Sequence, residues 1–126
     1  MGRFENALIR RALKPNVTSD LPGRLRLTFK CYKLLPKDAL PYLHYVRDVM
    51  TMLPGVTDTQ VNPRIGTALI AYDPQTTSRE QILQWIDTVV SVGLELSAEI
   101  NWQDGSIQEA ELAQLARKRL LDRLPK

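Results

Sequence analysis

Two arginines two residues apart, Arg24 and Arg26, stand in the stretch Leu21-Pro-Gly-Arg-Leu-Arg-Leu-Thr-Phe-Lys30. A guanidinium presents a planar fork of donors that matches a carboxylate or a phosphate, so this pair suits anion or partner-protein binding. Lys30 adds a third cation on the same strand face, and Arg3, Arg10 and Arg11 add three more near the N-terminus. The competing reading is an amphipathic strand whose arginines only solvate its outer face, and both stand open at this point. Nucleophilic or metal chemistry has little to work with. Cys31 is the single cysteine and His44 the single histidine. A lone thiol without a base is rarely a nucleophile. His44 has only Asp48 one helical turn on. Met50 and Met52 read as core and rim of a helix rather than as thioether ligands. No Gly-rich phosphate loop, carboxylate pair or Ser/His/Asp set appears, so no enzymatic activity, cofactor or metal is expected.

The alternation of Leu25, Leu27 and Phe29 against Arg24, Arg26, Thr28 and Lys30 predicts a half-buried strand with its arginines outward. Ahead of it, residues 3–13 have helical composition, with Phe4, Leu8 and Ala12 on one stripe, and Pro15 to Gly23 reads as a linker. Beyond it, Asp38 is a plausible N-cap for a helix carrying Leu40, Leu43, Val46, Met50 and Leu53, which Pro54-Gly55 ends. Val56 to Asn62 and Thr67 to Tyr72 form a hairpin around Asn62-Pro-Arg-Ile-Gly66. Thr77 and Glu80 make a capping box for a second helix with Ile82, Leu83, Ile86, Val89 and Val90, expected to stop near Gly93. Leu94 to Ile100 alternates loosely and reads as a last strand. Ser106 and Glu109 open a final helix, with acids early and Arg117, Lys118 and Arg119 late.

The expected fold is therefore α+β: a ferredoxin-like βαββαβ antiparallel sheet with two helices on one face, plus N-terminal and C-terminal helices. Its expected divisions are a basic helix at 1–14 serving as docking tag, a linker at 15–21, the central domain at 22–103 and an amphipathic helix at 104–126. Leu112, Leu115, Leu120, Leu121 and Leu124 make that last helix apolar enough to need burial or a dimer interface.

The 126 residues carry 44% hydrophobic and 25% charged side chains, ordinary for one globular domain. The net charge of +3 is uneven. Residues 1–33 hold eight basic and two acidic side chains, and the remainder nine and twelve. A basic N-terminal third points to an anionic partner or to solvation alone. One cysteine fits a reducing compartment, and no apolar segment follows Arg10-Arg11, so a cytoplasmic protein is expected, peripheral at a membrane or particle surface.

The string Leu53-Pro-Gly-Val56, then Val61-Asn62, then Tyr72-Asp-Pro74 before a capped helix resembles the heavy-metal-associated domain, over about residues 22–100. That is the ferredoxin-like module of copper chaperones and of the cytosolic tails of metal-pumping P-type ATPases. In that family a Cys-x-x-Cys pair at the start of the first helix holds a soft ion. The matching positions here are Ala39 and Tyr42, which supply neither thiolate nor imidazole. Pro22, Gly23, Arg24 and Arg26 instead look like a cysteine-less, second-type branch, which includes ATPases linked to bacterial iron-storing compartments. The resemblance implies a non-enzymatic adaptor in metal handling, iron included. Its partner would be a metal-transport ATPase, a membrane or a compartment-shell component, with a homodimer also open. The alternative is an RNA-binding module, weakened because Tyr72 is the only aromatic on the third strand. Hard-metal binding by Asp38, Asp48 and Asp58 is a third idea, with no clustering behind it.

Overall fold

A computed structural model describes residues 9–34, 45–99 and 109–125. Four strands form one antiparallel sheet: β1 (Asn16–Leu21), β2 (Arg24–Thr28), β3 (Val56–Asn62) and β4 (Thr67–Tyr72), in the order β1-β2-β4-β3. The helices are α1 (Val46–Thr51), α2 (Arg79–Glu99) and α3 (Glu109–Leu121), with a 3-10 turn at Tyr32–Leu34 and a helical turn at 9–12.

The sheet consists of two hairpins joined along β2 and β4. The first turns at Pro22-Gly23, where Leu21 faces Arg24 across the ladder. Gly23 has φ +81°, the left-handed value that a type II turn with proline at its second position demands of the third residue. The second hairpin turns through Asn62-Pro-Arg-Ile-Gly66. Its register sets Thr59 against Ile70 and Val61 against Ala68. The seam pairs Arg24 with Ala71, Arg26 with Leu69 and Thr28 with Thr67. Gly66, at φ +68°, lies flat under the ring of Tyr32, where any Cβ would overlap the ring. The Tyr32 hydroxyl donates to the Arg64 carbonyl at 2.7 Å and so clamps this turn to the chain after β2.

The expected ferredoxin-like βαββαβ order is wrong on two counts. Residues 15–21 are largely not a linker: Asn16–Leu21 is an edge strand that occupies the sheet position beside β2. Its polar side chains hid it, yet it pairs with β2 on both sides of a bulge at Thr18, whose Oγ1 donates to the Arg26 carbonyl at 3.3 Å. Leu94 to Glu99 is not a last strand but the end of α2. Leu94 and Leu96 both alternate and both are buried, a pattern that fits a strand as well as a helix packed on two sides. Here α3 decides, because Arg123 following it grips Glu95 through two hydrogen bonds of 2.5 and 2.6 Å. Gly93, exposed within α2, does not end the helix, which runs on to Glu99. Ser78, not Thr77, caps α2, its hydroxyl accepting from the Gln81 amide at 3.3 Å.

One face of the sheet is covered. Leu25, Leu27, Val56 and Ile70 meet Met50, Leu53, Ile82, Trp85, Val92, Leu96 and Leu120 in a single core, with Phe29 packed against it. Trp85 is the largest side chain there, and its indole N–H donates to the Val49 carbonyl at 2.9 Å, tying α2 to α1. Thr59 faces the same core with its hydroxyl buried and without a hydrogen-bond partner among the described residues. In the outer helical segments, Ala12 and Leu120 are buried.

Candidate functional site

Among the described residues no element covers the other, open face of the sheet, and the alternation of β2 places Arg24 and Arg26 on it, both exposed, while Leu25 and Leu27 are fully buried. Along one face of a strand, residues two apart are separated by about 6.6 Å. Across the seam, Arg24 sits beside Ala71 and Arg26 beside Leu69; one strand further, Leu69 sits beside Gln60 and Thr67 beside Asn62. The face thus carries a basic rail on β2, a small apolar strip on β4 and, on β3, the amides Gln60 and Asn62 in line with Asp58, which stands opposite Ala71. An open concavity of ≈ 510 Å³ lies over it, with Arg26, Gln60, Asn62, Ile65, Thr67 and Leu69 among its lining residues.

What makes the two arginines distinctive is that the carboxylates around them are already engaged. Asp58 on β3 receives Arg47 at 2.9 Å. Asp20 on β1 receives Arg79 at 3.2 Å. Asp73, just beyond β4, accepts from the Gln75 amide at 2.9 Å and the Thr76 hydroxyl at 2.8 Å, and these hydrogen bonds hold its carboxyl below its usual range. Among the described residues no carboxylate pairs with Arg24 or Arg26.

The remaining candidates do not join them. Lys30 is exposed but lies in the turn after β2, which ends at Thr28, so it is not on the strand face as expected. Arg10 is committed to its own chain: it pairs with Asp87 at 3.7 Å and donates to the Ser91 hydroxyl at 3.3 Å, both on α2. Arg11 is exposed beside it. Arg3, His44, Asp38, Ala39 and Tyr42 lie outside the described residues. Cys31 is a half-buried free thiol, and among the described residues no three His, Cys, Asp or Glu side chains gather as metal ligands. Met50 is buried in the core and Met52 packs at its margin. No described helix is long and apolar enough to cross a membrane.

Sequence reasoning found the arginines but not Leu69, Gln60 and Asn62, which complete the face. Their signal was present, because the alternation that buries Ala68 and Ile70 must turn Thr67, Leu69 and Ala71 the other way. No family model, no curated protein and no solved structure matches the chain.

Proposed function

We propose that the chain is a non-enzymatic adaptor that holds an anionic protein partner on the open face of its sheet, with Arg24 and Arg26 as the anchoring cations. The observation that carries this reading is their isolation: both are exposed and adjacent, and the neighbouring carboxylates are spent on other donors. A strand face serving only solubility would be expected to contain no apolar strip. Arg10 is not part of this surface, because Asp87 and Ser91 hold it on α2. Metal handling, iron included, is the setting we propose from the resemblance of Leu53-Pro-Gly-Val56 and Pro22-Gly23-Arg24 to the thiolate-free branch of the heavy-metal-associated family. A metal-transport ATPase or a compartment-shell component is then the partner class, met in the cytoplasm. RNA binding is disfavoured by the face itself: no aromatic side chain occupies the open-face positions of β2, β4 and β3, so bases have nothing to stack on.

Quantitative pull-down from native lysate tests the reading, comparing the intact chain with Arg24→Ala/Arg26→Ala. A protein recovered by the first and lost by the second supports it. Identical recovery by both, or nucleic acid released by salt as the only retained species, overturns it.

A further inference from the structure

Resting on that reading, we infer that the occupant of the open face is an amphipathic helix of the partner with a line of carboxylates along one flank. The face, rather than an edge, is what carries the arginines. A strand laid on a sheet face would find only side chains beneath it, leaving its backbone N–H and C=O groups without partners where water is excluded. A helix satisfies its own backbone and needs from the surface only apolar area and charge. Both are present here in the right places. Leu69 and Ala71 run down β4, and Ile65, 60% exposed, extends the strip at the hairpin end. The rails on β2 and β3 stand two strand spacings apart, about 10 Å, which is the width of a helix.

Charge gives the polarity of the fit. Arg24 and Arg26 repeat at about 6.6 Å along β2, close to the 5–6 Å that separates side chains at i and i+3 or i+4 on a helix surface. Two such glutamates would each meet one guanidinium. The opposite flank would meet Gln60 and Asn62, which hydrogen-bond to either donor or acceptor side chains, with Asp58 at the end of their row already held by Arg47 at 2.9 Å. A second copy of the chain is a poor occupant. The helix it would offer, α3, exposes Leu115 and Leu121 and has Glu111 one turn before Leu115, but Arg117 and Lys118 stand beside both leucines and outnumber it, facing the arginines with like charge.

The test uses the full chain, 15N-labelled, and two synthetic 18-residue amphipathic helices that share one leucine stripe. One carries glutamate along a flank, the other lysine at the same positions. The glutamate peptide is expected to bind, to shift the amides of β2, β4 and β3, and to weaken roughly tenfold against Arg24→Glu/Arg26→Glu, which in turn gains the lysine peptide. Equal binding of both peptides, no binding of either, or shifts confined to α2 and α3 overturns the inference. So does arginine-dependent binding of a 20-nucleotide single-stranded RNA or of phosphatidylserine vesicles tighter than that of the glutamate peptide. A dimer in light scattering that the double reversal abolishes also overturns it, since the occupant is then a second copy. If the lysate partner of the preceding section depends on the arginines while the glutamate peptide does not bind, the helix fails and the adaptor stands. If neither depends on them, both fail.

Discussion

On the covered side of the sheet, Leu25, Leu27 and Ile70 are buried against Trp85, Ile82 and Met50. On the open side, one residue away on the same strands, Arg24, Arg26 and Leu69 face outward. The backbone is shared, so whatever distinguishes the two sides lies in side chains and in what lies over them. The covered side buries its apolar surface under α1, α2 and α3, with Trp85 further fixed by its bond to Val49. The open side has an apolar strip and two cations that no carboxylate among the described residues pairs with. A chain that needed only stability would have little use for them, which is why binding is proposed for that side and stability for the other.

The comparison predicts a clean division of mutational effects. Trp85→Ala is expected to cost the most, about 3–5 kcal/mol, because it empties the largest buried volume between α2 and the sheet. Chemical denaturation measures it, and a loss under about 1 kcal/mol would mean that the covered side does not hold the fold together. The neighbouring pair on β2 is the sharper contrast. Leu27→Ala should destabilise by about 2–5 kcal/mol, and Arg26→Ala should leave stability within about 0.5 kcal/mol while removing partner binding. If Arg26→Ala unfolds the chain, the open side is structural and the division fails. Thr59→Val probes an imperfection on the covered side. Its hydroxyl is buried without a partner among the described residues, so replacing it with a methyl of similar shape should be neutral or stabilise by about 1 kcal/mol. A clear loss of stability on thermal unfolding would reveal a hydrogen bond that forms in solution.

The smallest effect concerns the contact between α2 and α3. Hydrogen bonds from Arg123, helped by the charge of Arg119, hold the Glu95 carboxyl below its ordinary value of 4.5. A depressed carboxylate contributes stability that is present above its unfolded value and lost as pH falls through the folded one. Protection of α3 amides from hydrogen exchange should therefore be level from neutral pH down to about 5 and drop below about 4.5. Glu95→Gln should show little of this drop, and an identical acid profile in both chains would remove Glu95 as the cause.

Much of this arrangement was legible in the sequence, and where it was not, the reasons are physical. Val56–Asn62 and Thr67–Tyr72 stand where their alternation and turn residues set them, and the arginines of β2 alternate with leucines as read. Strand β1 was hidden because an edge strand draws its order from its neighbour's ladder and can be polar on both sides. The Pro22-Gly23 turn was nonetheless a sign that a strand should precede it as well as follow it. The segment Leu94 to Glu99 fits two periods at once, and only a helix more than a dozen residues further along the chain settles which. The site shows the same limit. Arg24 and Arg26 were visible as candidates, whereas the pairing of Arg10 with Asp87, far apart in sequence, could not be read from local pattern.

The joining of two hairpins along a single seam also bears on how the chain folds. Each hairpin closes locally, Leu21 against Arg24 and Asn62 near Thr67, at small entropic cost. The seam brings Arg24 to Ala71 and must close a far longer loop before any of its contacts form. Assembly of β2 onto β4, under the cover of Trp85 and Leu27, is therefore the step that sets the pace. Until it is complete, both hairpins show an unpaired edge, so the seam is also where the nascent chain is most exposed to pairing with another copy of itself.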